Sequence, residues 1–211
     1  MDVRGSGSEL VELGAGREAG PGSSCAFSTL DREHMARALE LARRGQGLAS
    51  PNPLVGAVVV APDGSVAGEG WHEGPGTPHA EIHALGAAGG RARRGTLYVT
   101  LEPCSHRGRT PPCAPAVARA GIARVVASVR DPNALVDGSG FEVLRGANVS
   151  VDVGLLAAEG SRLIEAFAKA ITTGTPFVTL KVAMSLDGKV AARDGCPHAA
   201  GCSTAPHRSG S

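Results

Sequence analysis

Three short segments carry residues that can hold a metal ion and use it in catalysis. Pro78-His79-Ala80-Glu81 is followed by a predicted strand, then by Glu102-Pro103-Cys104 and by Pro112-Cys113. One imidazole and two thiolates form a borderline-soft ligand set that suits zinc. Three protein ligands leave the fourth tetrahedral position open to water, as in catalytic rather than structural zinc sites. The segments therefore predict a hydrolytic zinc site whose ligands are His79, Cys104 and Cys113.

Glu81 lies two residues after His79, where a helix is predicted to begin. Two residues turn an α-helix through about 200°, so Glu81 is poorly placed to share the metal. In the first turn, however, its carboxylate can lean over the metal-bound water, take its proton and deliver that proton to a departing amino group. Histidine, glutamate and paired cysteines together match the signature of zinc deaminases. We therefore predict a hydrolytic deaminase with Glu81 as the catalytic proton carrier.

The elements that must position these residues alternate between helices and strands. The first helix is predicted over 31–44, with Ser28 or Thr29 as its cap. Further helices are predicted over 79–88, 112–120, 138–146 and 155–173. Strands are predicted over 54–61, 65–70, 96–100, 124–128 and 149–153, with a further apolar strand over 176–184. Such alternation predicts an α/β sandwich with a mixed or largely parallel sheet.

Composition restricts the classes of partner and compartment. Lys and Arg (21) nearly balance Asp and Glu (20), and aromatic residues make up only 3% of the chain. These values argue against a broad nucleic-acid or anionic-membrane surface and against a stacking platform for single strands. The longest apolar run is too short to cross a bilayer, and the first residues lack the order of a signal peptide, so we expect a cytoplasmic protein.

The cysteines favour metal binding over disulfide formation. Their number, 5, is odd, and no export signal precedes them. Cysteines in such a chain are metal ligands or free thiols more often than a disulfide framework. Cys25, Cys196 and Cys202 lie near the ends of the chain and are interpreted as incidental free thiols.

The spacing of the two candidate ligand cysteines narrows the choice among deaminase families. Common nucleoside and base deaminases separate them by two residues, whereas 8 residues intervene here, from Ser105 to Pro112. From about Met35 to Asp194 the sequence resembles the bifunctional riboflavin biosynthesis deaminase–reductase family. The matching motifs are Pro51-Asn52-Pro53-Leu54-Val55-Gly56-Ala57-Val58, Gly68-Glu69-Gly70-Trp71-His72, Pro78-His79-Ala80-Glu81, Tyr98-Val99-Thr100-Leu101-Glu102-Pro103-Cys104-Ser105-His106, Gly108-Arg109-Thr110-Pro111-Pro112-Cys113 and Asp131-Pro132-Asn133.

The resemblance implies a cytidine-deaminase-like three-layer α/β/α sandwich with a mixed sheet. It also implies zinc-dependent deamination of 2,5-diamino-6-ribosylamino-4(3H)-pyrimidinone 5′-phosphate, a small-molecule pyrimidine ribosyl phosphate, with no nucleic-acid or membrane partner. Pairing through sheet edges or helices would make a homo-oligomer. Arg109 can pair with the phosphate in a bidentate manner. The family's substrate contacts fall on Asn52, His72, His106, Arg109 and Asn133.

These contact positions also have purely structural interpretations. Asn52 lies between prolines and can cap its loop, and Asn133 can be a turn former. His72 and His106 can be ordinary polar surface residues. Ala134 stands where the family usually has another proline, which we expect to loosen the loop slightly without removing the site.

Composition, periodicity and the resemblance together divide the chain into segments. We predict a disordered leader (1–27), a zinc deaminase domain (28–150), a connecting strand and helix (151–174), the start of a truncated reductase domain (175–194) and an aberrant unstructured tail (195–211). Lys181 falls on a family position that binds NADP in the intact reductase. A single strand cannot form a dinucleotide fold, so zinc is the cofactor expected here and reductase activity is not. The alternatives are a nucleobase or tRNA adenosine deaminase and an inactive zinc-binding remnant.

Overall fold

The computed structural model describes residues 27–134, 136–184, 186, 188 and 189. Its helices and strands alternate along the chain in nearly the predicted order. They are α1 (Thr29–Arg43), β1 (Gly56–Val60), β2 (Val66–Trp71), α2 (Ala80–Ala88), β3 (Thr96–Leu101), α3 (Cys113–Arg119), β4 (Arg124–Val129), α4 (Ser139–Gly146), β5 (Ser150–Val153), α5 (Ala157–Leu163) and α6 (Glu165–Thr173). A short 3-10 helix, Gly89–Ala92, follows α2.

The 5 strands form one mixed sheet in the order β2-β1-β3-β4-β5. β1 is antiparallel to β2 and β3, whereas β3, β4 and β5 are parallel. Each parallel pair needs a crossover connection, which α3 provides between β3 and β4 and α4 provides between β4 and β5. The carboxyl ends of β3 and β4 therefore meet at one edge, where Leu101 is paired with Val129.

Helices cover both faces of this sheet. Successive residues of a strand point to opposite faces, so β1 contributes to two apolar cores. Ala57 and Val59 pack with residues of α2, α3 and α4, whereas Val58 and Val60 pack with residues of α1. This arrangement confirms the predicted three-layer α/β/α sandwich with a mixed sheet.

Helix α1 begins and packs as its sequence predicts. Ser28, rather than Thr29, is the cap: the Asp31 amide donates to Ser28 Oγ at 3.0 Å, and the Ser28 amide donates to Asp31 Oδ2 at 2.9 Å. This reciprocal pair satisfies two amides that a helix terminus otherwise leaves unpaired. The helix can then lie directly on β1 because Gly56 has no Cβ atom, which would clash with the Ala38 carbonyl oxygen.

Two predicted elements after β5 are wrong. The single helix expected over 155–173 is divided into α5 and α6 at Ile164, whose backbone (φ −105°, ψ 9°) is not helical. Ile164 is buried in the core formed with α2–α4 and separates the two helices. The strand expected over 176–184 is neither helix nor strand. No described strand pairs with it, and its apolar side chains are exposed, with Val178 and Leu180 at 78% and 83%.

Several predictions fall outside the described residues. These are the leader except Phe27, the tail over 195–211 and the cysteines Cys25, Cys196 and Cys202. The domain limits remain predictions. Among the helices of the described residues, none has the length and apolar character needed to cross a membrane.

Candidate active site

One imidazole and two thiols converge where β3 ends and where α2 and α3 begin. His79 Nδ1 lies 3.6 Å from Cys104 Sγ and 3.2 Å from Cys113 Sγ. The three donor atoms all lie within 4.8 Å of one another. Nitrogen and sulfur ligands placed about 2.0–2.3 Å from a tetrahedral zinc ion are about 3.5–3.8 Å apart. The donor types therefore suit zinc, and the two measured spacings lie within a few tenths of an ångström of those around a tetrahedral ion.

The start of α2 explains how His79 and Glu81 reach the same place. His79 is the cap residue of α2 and has an extended backbone (φ −73°, ψ 163°), whereas Glu81 lies in the first turn. The angular separation that applies inside a helix therefore does not govern His79. Both side chains line one cavity.

The two cysteines are brought together by the backbone at the start of α3. The Cys113 amide donates to Cys104 Sγ at 3.4 Å, and the Ala114 amide donates to the Cys104 carbonyl oxygen at 3.0 Å. The Cys113 thiol and the His79 imidazole lower the pKa of Cys104, while the adjacent Cys104 sulfur and burial raise the pKa of Cys113. Neighbouring thiols ionise together when they bind a divalent cation. The pair is thus arranged to share a metal ion.

Glu81 is the buried carboxylate beside this ligand set. Its side chain is almost completely inaccessible, with 3% of the residue exposed. Burial raises the pKa of Glu81 to about 7. A group that must both accept and donate a proton works best when its pKa is near the working pH. Glu81 is therefore suited to carry a proton at neutral pH.

A cavity of about 370 Å³ opens beside these groups. This volume lies within the range of small-molecule sites. Lys181 is exposed and is not among the residues that line it. The lining includes all of the predicted substrate contacts, namely Asn52, His72, His106, Arg109 and Asn133.

His72 and Asn52 support each other inside the cavity. Asn52 Nδ2 lies 2.9 Å from His72 Nε2, and His72 Nδ1 lies 3.4 Å from the Pro78 carbonyl oxygen. Burial lowers the pKa of His72, which favours the neutral ring. A neutral ring with its proton on Nδ1 donates to Pro78 and accepts from Asn52. His72 is thus a buried, hydrogen-bonded residue rather than the surface residue of the alternative interpretation.

The loop between the cysteines is held at both ends and exposed in the middle. At one end Ser105 Oγ lies 2.6 Å from Ser139 Oγ, and at the other Thr110 Oγ1 lies 3.2 Å from His79 Nε2. Arg109 is exposed, and among the described residues no carboxylate forms an ion pair with it. Its guanidinium is therefore available to an anionic ligand.

Glu102 is a functional candidate that sequence reasoning missed. It is 3% exposed, and its carboxylate accepts hydrogen bonds from the amides of Asp131 (3.2 Å), Gly138 (3.0 Å) and Gly140 (3.0 Å). These bonds hold the segment that carries Asn133 against the end of β3. The sequence offers one signal, an acidic residue directly after a buried strand, but it does not reveal the amides that this residue meets.

Thr110, Asp131 and Phe167 are among the other cavity-lining residues that were not predicted as site residues. Burial raises the pKa of Asp131 to about 6. Phe167 belongs to α6 and so reaches the cavity from beyond the predicted deaminase segment of residues 28–150. Thr110 and Asp131 lie within the quoted motifs, whereas no local pattern marks Phe167.

Comparison with known proteins agrees with this geometry. Residues 28–129 match the family of the cytidine and deoxycytidylate deaminase zinc-binding region. RibD of Escherichia coli is 52% identical over 165 residues, which are 78% of this chain and 45% of that protein. RibD of Aquifex aeolicus is 52% identical over 166 residues, which are 79% of this chain and 46% of that protein. The chain is a homologue of the amino-terminal part of RibD. It spans just under half the length of these relatives.

Solved RibD structures have the same fold. Acinetobacter baumannii RibD aligns with a TM-score of 0.73 and 48% identity, covering 77% of this chain and 45% of that one. The Thermotoga maritima protein, named a diaminohydroxyphosphoribosylaminopyrimidine deaminase/5-amino-6-(5-phosphoribosylamino)uracil reductase, aligns with a TM-score of 0.76 and 44% identity, covering 80% and 49%. The predicted relationship to the riboflavin deaminase–reductase family is confirmed.

Proposed function

We propose that this chain catalyses the hydrolytic deamination of 2,5-diamino-6-ribosylamino-4(3H)-pyrimidinone 5′-phosphate, with zinc as its cofactor. The observation that carries the proposal is the convergence of His79, Cys104 and Cys113 beside the buried Glu81 carboxylate. The relationship to RibD supports the substrate class, because the Thermotoga maritima relative is named for this deaminase activity.

The reaction consumes one water molecule, breaks the bond between a ring carbon and its exocyclic nitrogen, forms a carbon–oxygen bond and releases ammonia. His79, Cys104 and Cys113 would hold a zinc ion, which would supply Lewis-acid activation of the water. Glu81 accepts a proton at its carboxylate, then donates it to the substrate so that nitrogen leaves as ammonia. A pKa raised to about 7 suits both transfers.

The rest of the cavity binds and orients the substrate. His72 lines the cavity and holds Asn52, whose remaining amide groups are available to the ring and ribose. His106 and Asn133 line the same cavity and complete the contacts. Arg109 pairs with the phosphate through its planar guanidinium.

The proposed partner is therefore a small-molecule pyrimidine ribosyl phosphate, with neither nucleic acid nor a membrane involved. Lys181 and NADP have no part in this reaction. A homo-oligomer and a cytoplasmic location remain predictions.

The proposal is tested by measuring ammonia release from the purified, zinc-loaded chain. We expect release from the diaminopyrimidine ribosyl phosphate and none from adenosine in RNA, cytidine or free bases. The same protein after zinc removal by a chelator is the control, and activity should return when zinc is restored. Release from adenosine in RNA alone would support a tRNA deaminase instead. A protein that retains zinc but releases no ammonia from any of these would be an inactive zinc-binding chain.

A further inference from the structure

Among the described residues, one hydrogen bond connects the candidate metal ligand His79 to the loop between the cysteines. Thr110 Oγ1 lies 3.2 Å from His79 Nε2, while His79 Nδ1 faces Cys104 Sγ and Cys113 Sγ at 3.6 Å and 3.2 Å. A ligating nitrogen presents its lone pair to the metal, so the neutral ring carries its proton on the other nitrogen. The His79 Nε2 proton is then donated to the Thr110 hydroxyl oxygen.

We propose that Thr110 is a positioning residue for the metal site: it fixes the tautomer and ring orientation of His79. The partner of the second ring nitrogen generally sets both properties in metal-binding histidines. The inference rests on the proposed zinc site but not on the proposed substrate.

The sequence around Thr110 makes its position rigid. A residue that precedes proline is restricted to extended backbone conformations, and Pro111 imposes this restriction on Thr110. Pro112 is extended as well (φ −65°, ψ 142°) and caps α3, whose first residue is Cys113. A β-branched side chain also has few rotamers. Thr110 is therefore joined by a short, stiff segment to one ligand, Cys113, while its hydroxyl holds another, His79.

Thr110 also lies in the chain next to the proposed phosphate contact while its hydroxyl meets a candidate metal ligand. It follows Arg109, the proposed phosphate contact, and both residues line the cavity together with His79. The loop between the cysteines is thus part of the metal site as well as of the substrate site. Its other end is held by Ser105 and Ser139, which touch no metal ligand through their hydroxyls.

The two anchors of the loop allow a matched experiment on the full chain. Thr110→Val removes the hydroxyl and keeps the shape, Thr110→Ser keeps the hydroxyl, and Ser105→Ala releases the other anchor. Zinc affinity is measured by competition with a chromophoric chelator, and the visible absorption of the cobalt-substituted proteins reports ligand geometry. We expect Thr110→Val to weaken zinc binding about 10- to 100-fold and to alter the cobalt spectrum. Thr110→Ser and Ser105→Ala should resemble the wild type.

Each outcome has a distinct meaning. Equal zinc affinity in Thr110→Val and wild type would overturn the positioning role. Equal weakening in Thr110→Val and Ser105→Ala would also overturn it, because loop order rather than His79 orientation would then control the affinity. Far-ultraviolet circular dichroism of the zinc-free proteins checks folding, and Thr110→Ala replaces Thr110→Val if the valine variant is unfolded. A wild-type protein that binds zinc but releases no ammonia would contradict the proposed function alone.

Discussion

Each end of the sheet contains a cluster of buried polar groups, and the two clusters differ in how their charges are compensated. At the amino end of β3 and β4, Asp31 Oδ1 accepts hydrogen bonds from the Tyr98 hydroxyl and the Arg124 guanidinium, both at 2.7 Å. Arg124 also donates to Asp152 at 2.8 Å. At the carboxyl end, Glu81 lies buried beside two thiols, and no cation among the described residues forms an ion pair with it.

The pKa values follow this difference. Burial opposes ionisation of Asp31, but the hydrogen bonds from Tyr98 and Arg124 outweigh it and hold the pKa of Asp31 well below its usual range. At Glu81 burial prevails, and the pKa rises to about 7. A cluster that neutralises itself stabilises the fold, whereas one that needs a metal ion or substrate from outside marks a functional site. We therefore expect substitution of Glu81 to lower the enzymatic activity and substitution of Asp31 to lower the free energy of unfolding.

The largest expected effect comes from Glu81→Gln, measured as ammonia release from the diaminopyrimidine ribosyl phosphate. The amide keeps the size of the side chain but cannot carry the proton, so kcat should fall about 10²- to 10⁴-fold. Zinc content and the free energy of unfolding should remain close to those of the wild type, because no ion pair of the described residues is lost. Full activity in this variant would remove Glu81 from the mechanism.

The second effect, on stability, comes from Asp31→Asn. Asp31 is 6% exposed and accepts two charged or phenolic donors, so its loss leaves Arg124 partly uncompensated. We expect the free energy of unfolding, measured with urea, to fall by about 3 kcal/mol, while kcat of the folded protein is retained. Glu40→Gln is the matched control on the same helix. Its carboxylate is 62% exposed and, among the described residues, pairs with Arg37 alone, so the substitution should change stability by less than about 1 kcal/mol. A loss of kcat without a loss of stability in Asp31→Asn would contradict the structural role assigned to the Asp31 cluster.

The sequence allowed much of the carboxyl-end site to be predicted because its signals are local. His79 and Glu81 lie two residues apart at one helix start, Cys104 follows shortly after the end of β3, and Cys113 is the first residue of α3. Glu102 escaped prediction because its partners are backbone amides up to 38 positions away, which no side-chain pattern encodes. Phe167 escaped for a similar reason, since only tertiary packing brings α6 to the cavity.

The amino-end cluster could not be predicted from the same sequence. In the sequence Asp31 was only the first residue of the helix predicted over 31–44, and its partner Arg124 lies 93 positions away. Hydrophobic periodicity correctly predicted the five strands that pair with one another in the sheet, from Gly56–Val60 to Ser150–Val153. It failed over 176–184, because an apolar run becomes a strand only when another strand supplies its hydrogen bonds.

The smallest expected effect is on the pH dependence of the free energy of unfolding. Because the pKa of Asp31 is lower in the folded protein than in the unfolded chain, its stabilisation is fully present above the unfolded pKa of about 3.9 and is lost as the pH falls towards the folded value. The difference in unfolding free energy between wild type and Asp31→Asn should stay constant from about pH 8 to pH 5, then shrink by about 1 kcal/mol between pH 5 and pH 3. Taking this difference cancels the titration of the distant His79, Cys104 and Cys113, which both proteins share. A difference that is unchanged or larger at pH 3 would mean that the Asp31 carboxylate is not held ionised by its partners, and the amino-end cluster would then not be self-compensating.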